Sequence, residues 1–267
     1  MITTSAEEMR RRAAEARAAG YSCVVALGGD GTIHEVINGA VEGAGAEEVI
    51  PVAVLPGGGG NDLARALGMP LDPVAAAHGL LHSRLRSIDL LQMASPGGRS
   101  RVFAGAGGVG LDAEAALLAN TRFRNWPGMS RYIAAAVAAF CEASPLRIRI
   151  EADGKAHDFQ AQLVAVANTP SYGGGVQICP AALIDDGWMD VAVVAPLSWT
   201  RVLEGLLLAL RDGDIRWPEM RRMRARRLRI ETNRPMSFHG DGEILGETPV
   251  EIELLPGRLD VLGPAQK

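Results

Sequence analysis

Lysine is almost missing from this 267-residue chain: it occurs only at Lys155 and Lys267, and every other basic side chain apart from histidine is arginine. No lysine lies in or beside a glycine-rich segment, which excludes a Walker-type phosphate-binding lysine and leaves phosphate charge to backbone amides, a metal or arginine. Cysteine is scarce as well. Cys23, Cys141 and Cys179 are odd in number, widely spaced and without a metal-ligand pattern, so they read as reduced and mostly buried. Long apolar runs are lacking: the strongest, 202–210, is interrupted by Glu204 and is too short to cross a bilayer. Met1 to Gly20 follows an Arg/Glu/Ala helical pattern without the apolar stretch of a signal peptide. The formal net charge of −4 argues against a nucleic-acid partner. With 48% hydrophobic and 22% charged residues, the composition suits a soluble cytoplasmic chain that forms one large domain or two modest ones.

Glycine is where the chain is rich, and it is concentrated. The apolar run Cys23-Val24-Val25-Ala26 leads into Leu27-Gly28-Gly29-Asp30-Gly31-Thr32, and Ile33 to Gly39 follows a helical pattern. Strand, glycine turn and helix in that order make an anion site. The glycines admit close backbone approach, the helix start offers unpaired amides at the positive end of its dipole, and Thr32 adds a hydroxyl. Asp30 is out of place in simple anion capture, because a carboxylate repels phosphate unless a metal ion or hydroxyl lies between; it points to a Mg²⁺-nucleotide or ribose contact. A second segment repeats the plan. Val49 to Leu55 reads as a buried strand, Pro56-Gly57-Gly58-Gly59-Gly60 as a loop, and Asn61 to Gly68 as a helix opened by Asn61 or Asp62 and closed by glycine. Both loops leave the carboxyl ends of their strands, which places them on one edge of a parallel sheet, where open α/β folds bind ligands. Arg65 is the arginine nearest a phosphate there; pairing along its own helix is the other reading.

From about Asp89 the texture changes. Strand-like runs at 101–104, 146–152, 161–167, 189–194, 228–231 and 250–254 outnumber helices, Asp153-Gly154 reads as a hairpin turn, and helical patterns are confined to 130–143 and 199–210. Acids gather in this half: Asp89 after Ile88, Asp185 and Asp186 in Leu183-Ile184-Asp185-Asp186-Gly187, and the turn Asp241-Gly242-Glu243 after the strand Met236-Ser237-Phe238. An Asp-Gly pair is also an ordinary turn, and Asp89 also reads as an exposed strand end. The arginine-rich run 220–229 suits either attraction to anionic lipid headgroups or a solvated strand edge that blocks pairing.

The ordered series GGDGTIHEVING (28–39), PGGGGNDLARALG (56–68), Ile88-Asp89-Leu90, FAGAGGVGLDAE (103–114), ANTPSYGGGVQICPAALIDDGWMDV (167–191) and HGDGEILG (239–246) resembles the diacylglycerol kinase catalytic family of lipid kinases, which includes sphingosine kinases. The resemblance covers nearly the whole chain. It implies a parallel α/β nucleotide-binding domain, here residues 1–88, followed by a β-sandwich domain, residues 89–267, whose C-terminal tail can return to the first. It implies ATP and Mg²⁺ as cofactors and transfer of the γ-phosphoryl group to a diacylglycerol-like hydroxyl, by a cytoplasmic enzyme peripheral to the inner face of the membrane. Gly28, Gly29, Asp30, Gly31, Thr32, Gly58, Gly59, Gly60, Asn61 and Asp62 would hold the nucleotide, Glu243 with Asp241 would supply the catalytic carboxylates, Glu243 acting as general base, and Asp186, Asp89 and Leu183 would hold the metal. Leu117, Leu118 and the 132–140 helix would line an apolar cleft for acyl chains, or belong to the core.

Three departures from the family pattern stand out. Gly59 takes the place of a phosphate-contacting threonine, Gly105 replaces a frequent asparagine after Phe103, and the family's opening strand, helix and next strand are absent. A sheet edge so uncovered would pair in a homodimer through the first domain, or be refilled by Met1 to Gly20 packed as a helix. Two further readings remain open: a catalytically weak or inactive nucleotide- or lipid-binding homologue, and a kinase of a soluble acceptor such as NAD.

Overall fold

A computed structural model describes residues 5–45, 48–98, 100–142, 144–171, 175–202, 204 and 217–264. In chain order the elements are α1 (Ala6–Ala16), β1 (Val24–Gly28), α2 (Asp30–Val41), β2 (Val52–Pro56), α3 (Asp62–Ala66), α4 (Pro73–Leu80), β3 (Arg84–Ala94), β4 (Arg101–Phe103), β5 (Ala106–Gly110), α5 (Leu111–Asn120), α6 (Gly128–Glu142), β6 (Leu146–Ala152), β7 (Lys155–Ala161), β8 (Leu163–Ala167), β9 (Met189–Val194), β10 (Met220–Ala225), β11 (Arg227–Thr232), β12 (Ser237–Gly240), β13 (Glu243–Glu247) and β14 (Val250–Gly263).

The first lobe is the expected strand–loop–helix repeat. β1 and β2 are parallel neighbours in register from Val24↔Val52 to Gly28↔Pro56, so both glycine loops leave the same sheet edge. Ile33, Ile37, Val52, Val54, Leu63 and Ile88 fill its core. α1 starts at Ser5, whose hydroxyl accepts from the Glu8 amide, and packs on α2. The contact is tight: a Cβ added to Gly39 would lie 2.1 Å from the Arg10 carbonyl oxygen. β1 ends the sheet, with Val25 and Leu27 exposed.

The second half is antiparallel. An eight-stranded sheet runs β1-β2-β14-β11-β6-β7, with β3 paired to β14 and β4 to β3, and a six-stranded sheet runs β10-β9-β8-β5-β12-β13. Alternation in β6, with Leu146, Ile148 and Ile150 inward and arginines outward, seats one sheet on the other across a core that includes Met93, Phe103, Val166, Val191, Leu228 and Phe238. β8 and β9 are buried throughout, because their other face packs against Ile178, Cys179 and Leu197. Of the expected cysteines, Cys179 is buried, Cys23 half-buried and Cys141 exposed; burial pushes the Cys179 thiol up to about 12, the Asp190 charge adding to it.

β14 joins the two lobes. Its start pairs with β11, its length with β3, and Val261 and Leu262 pair in parallel with Val52 and Ala53 of β2. Residue 89 therefore lies within a strand, and the chain's end enters the first lobe's sheet. The helix expected over 130–143 is α6, α5 was not expected, and the pattern over 199–210 lies largely outside the described residues.

Candidate active site

The two glycine loops pack against each other. Gly57 N–H donates to the Gly28 carbonyl at 2.8 Å. A Cβ on Gly29 would lie 3.2 Å from the Gly58 Cα, and one on Gly58 would lie 2.5 Å from the Gly29 Cα. Loop-to-loop approach thus requires glycine at 58 and is tight for a Cβ at 29 and 57, whereas a Cβ on Gly59 would meet nothing within 4 Å. Asn61, at a left-handed φ of 54°, holds the second loop by accepting from Gly58 N–H at 2.9 Å and donating to the Gly58 carbonyl at 2.8 Å. Arg65 donates back to the Gly60 carbonyl at 3.1 Å.

Asp30 is spent internally. Its two carboxylate oxygens accept from the backbone amides of Asn61 and Asp62, each at 2.8 Å, so it fastens the start of α2 to the start of α3. A carboxylate is thus tolerated in the loop because two amides neutralise it, without the metal ion or hydroxyl that the sequence reading called for. Burial raises its pKa, the two amides oppose the rise, and the Asp241 charge adds to it. The first intrahelical bond of α2 runs from Ile33 N–H to the Gly29 carbonyl, which leaves the amides of Asp30, Gly31 and Thr32 without intrahelical carbonyl partners at the helix start.

Glu243 comes to that helix start. β12 and β13 form a hairpin whose tip, Asp241 and Gly242, has φ of 52° and 84°, and Glu243 is the first residue of β13 rather than part of the turn. Its Oε1 lies 2.8 Å from where a Cβ on Gly31 would be, so any larger residue at 31 would displace the exposed carboxylate from this position. Asp241 is engaged: Oδ1 accepts from Gly105 N–H at 2.8 Å and Oδ2 from Ala104 N–H at 3.0 Å. A Cβ at residue 105 would stand 2.9 Å from Asp241 Oδ1, which accounts for glycine at that position.

The expected metal ligands are brought near one another but occupied. Asp89, 3% exposed, accepts from Gly187 N–H and Gly257 N–H, each at 2.7 Å. Asp186 accepts from Arg224 at 2.7 Å and from Trp188 N–H at 3.1 Å, and the Leu183 side chain is 55% exposed. Among the described residues no group of three or more His, Cys, Asp or Glu could hold a metal ion. These residues do not fit a preassembled Mg²⁺ site, because Asp89 is a clamp on two backbone loops and Asp186 half of an ion pair. The arginine run is likewise largely paired, Arg224 with Asp190, Arg227 with Glu253, Arg229 with Glu231 and Glu251, while Arg226 stacks on Trp188 at 4.5 Å. Of these, Arg224 lies on β10, at the edge of the six-stranded sheet, whereas Arg227 and Arg229 lie on β11, inside the eight-stranded sheet.

Sequence reasoning missed a buried polar chain. Arg10 and Arg101 both donate to Glu35, at 2.8 and 2.7 Å, and Arg101 also meets His34 Nε2 at 3.2 Å. Burial would raise the Glu35 carboxyl, but the two arginines outweigh it and hold its pKa below the ordinary value. His34 Nδ1 lies 3.3 Å from Asp241 Oδ2. The available signal was α2 itself: Ile33 to Ala40 are buried without a break, so its polar members had to find partners.

A parallel α/β lobe with paired glycine loops, joined to a β-sandwich that presents a carboxylate to a helix start, defines a phosphate-handling transferase. Comparison with known proteins gives the family. The diacylglycerol kinase catalytic domain model matches residues 1–93, and the YegS C-terminal NAD kinase beta sandwich-like domain model matches residues 105–263. Diacylglycerol kinase of Mycobacterium tuberculosis is 32% identical over 270 residues, covering 99% of this chain and 84% of that protein. Diacylglycerol kinase of Bacillus subtilis is 28% identical over 266 residues (99% and 85%), and the Pseudomonas aeruginosa protein named "Probable lipid kinase YegS-like" is 33% identical over 269 (99% and 84%). The crystal structure of a diacylglycerol kinase from Bacillus anthracis shares the fold, with a TM-score of 0.73 at 22% identity over 99% of this chain and 84% of that one. The chain belongs to the diacylglycerol kinase catalytic family, and its class is that of phosphotransferases with an alcohol acceptor.

Proposed function

We propose that this protein transfers the γ-phosphoryl group of ATP to the hydroxyl of a diacylglycerol-like lipid. The observation that carries the reading is Glu243 Oε1 beside Gly31, at the amide-rich start of α2. The amides of that first turn and the open space at Gly59 receive the phosphates, and the acceptor hydroxyl gives its proton to Glu243. The acceptor oxygen then bonds the γ-phosphorus as the bond to the ADP oxygen breaks in line. Asp30, Asn61 and Asp241 hold the loops that aim these groups.

The acceptor side is apolar. α5 packs on β12 and β13, and Leu117 and Ile244 are 45% and 44% exposed beside the Glu243 hairpin. The turn 121–127 beyond α5 exposes Trp126 with Arg122 and Arg124, a composition suited to the membrane interface. Among the described residues no helix is long and apolar enough to cross a membrane. A second reading, a soluble acceptor such as NAD, draws support from the NAD kinase-like description of the matching C-terminal family model. A radiolabelled-ATP assay over diacylglycerol, phosphatidylglycerol, sphingosine and NAD decides between them: label in the lipid phase supports the proposal, and label in NAD alone overturns it.

A further inference from the structure

The geometry points to His34 as a positioning residue that acts through one ring nitrogen only: as the Nδ1–H tautomer it fixes Asp241 and, through the turn, the placement of Glu243. Its partners assign the tautomer. Nε2 faces Arg101 Nη2 at 3.2 Å and Asn38 Nδ2 at 3.3 Å. Asn38 cannot be flipped, because its Oδ1 accepts from Val102 N–H at 3.0 Å while its Nδ2 donates to the Val102 carbonyl at 2.8 Å. Both hydrogens of Asn38 Nδ2 are taken, by the Val102 and His34 carbonyls at 2.8 and 2.9 Å, so the donor to Nε2 is Arg101, which has no acceptor to offer, and Nε2 keeps its lone pair. The ring proton is then on Nδ1, directed at Asp241 Oδ2 3.3 Å away.

Asp241 thereby receives three donors from two directions: His34 from α2, and the Ala104 and Gly105 amides from the link between β4 and β5. A left-handed φ of 52° is open to an aspartate in an Asp-Gly hairpin turn, and these donors fix which way its carboxylate points. Glu243 follows two residues later with its Oε1 against Gly31, also on α2. The helix that starts at the phosphate loop thus sets both ends of the Asp241-Gly242-Glu243 segment. His34 is 1% exposed, and of its side-chain partners only Asp241 belongs to the Asp241-Gly242-Glu243 segment, so its effect on Glu243 is routed through Asp241.

The two ring nitrogens can be separated by substitution, since an asparagine amide nitrogen falls near the position of Nδ1 and a glutamine amide near that of Nε2. Under the proposed kinase reading, His34→Asn retains the donor to Asp241 and is expected to keep kcat within about threefold, with lowered melting temperature from the lost contact to Arg101. His34→Gln retains a group facing Arg101, loses the donor, and is expected to lose kcat by roughly 10- to 100-fold, the scale of a small misplacement of a reacting group. ATP KM is expected to change in neither. A purely structural role predicts the reverse order, with the larger glutamine better tolerated; equal kcat in the two variants, or Gln above Asn, overturns the inference. A second measurement does not depend on the substrate. In the ¹⁵N spectrum of histidine-labelled protein, the pair of resonances lost in His34→Asn is expected to show a protonated Nδ1 and an unprotonated Nε2. The opposite tautomer, or an imidazolium at neutral pH, overturns the assignment even if no acceptor in the panel is phosphorylated.

Discussion

Replacing Asp30 by alanine separates a structural clamp from a metal or ribose ligand. The substitution strands two backbone amides, Asn61 and Asp62, that now donate to the carboxylate at 2.8 Å each. A hydrogen bond to a charged group contributes about 1.5–3 kcal/mol, so the pair contributes roughly 3–6 kcal/mol before offsets. The Asp30 pKa is nonetheless raised, so burial and repulsion from Asp241 outweigh the amides' preference for the ionised form and cancel much of that gain. A net loss of about 2–4 kcal/mol is expected in the nucleotide-free protein, equivalent to roughly 5–12 °C in Tm for a chain of this size. Asp30→Asn, which can still accept one amide, is expected to lose about half as much. Urea unfolding in EDTA, without nucleotide, is the measurement. Unchanged stability of Asp30→Ala, within about 0.5 kcal/mol, with a loss of affinity seen only for Mg²⁺-ATP, would refute the clamp and restore the ligand role.

Four further outcomes follow from the same geometry. Glu243→Gln is expected to lower kcat by about 10²–10⁴-fold with ATP affinity unchanged, and turnover within a few-fold of the parent removes Glu243 as the base. Gly59→Thr places its Cβ in open space; it is expected to leave stability unchanged and tighten ATP binding about twofold to fivefold through one new hydroxyl, as read by calorimetric titration, where weaker binding would count against that loop as the phosphate site. The Glu35 pKa is lowered from 4.5, because the arginines outweigh burial, so its stabilising contribution is present above that pH and is lost as pH falls through the depressed folded value. Glu35→Gln is accordingly expected to flatten the acid limb of the stability curve below pH 4.5, and an unchanged limb contradicts this. Trp126→Ala is expected to weaken binding to anionic vesicles about fivefold in co-sedimentation without affecting ATP binding, while equal sedimentation removes turn 121–127 from the membrane contact.

The elements that a local signal marks were legible. Both glycine loops, the hairpin at Asp153-Gly154 and the alternating β6 follow from periodicities and turn chemistry that lie within a dozen residues. α5 was hidden because its N-cap, Gly110, offers no capping side chain and its lead-in is glycine-rich, so nothing marked a start. The strand-like run 250–254 covers only the start of β14. The strand shifts register between Leu255 and Leu259 and continues to Gly263. The irregularity is used: at φ 57°, Gly257 turns its N–H to Asp89 at 2.7 Å, and this bond depends on a residue far away in sequence. The His34–Arg101–Asp241 chain escaped for the same reason, as its members come from α2, β4 and the β12–β13 turn.

The acids of the site divide by what the backbone asks of them. Asp30, Asp89 and Asp241 each accept from two main-chain amides, and each joins segments distant in sequence: α2 to α3, β3 to the Gly187 loop and the β14 bulge, and the hairpin tip to the β4–β5 link. A carboxylate so used has about half of its lone-pair sites taken and is held rigid by groups that cannot follow a moving proton, which suits it to clamping more than to general-base work. Glu243 is exposed and lies against Gly31, where the backbone leaves room for it. The sequence reading gave these acids nucleotide, metal and catalytic roles, and the hydrogen bonds of the fold add the clamping role that three of them share. It follows that alanine at any of the three clamps should cost stability first and turnover second, whereas at Glu243 the order is inverted, and denaturation and kinetics measured on the same four variants distinguish the two patterns.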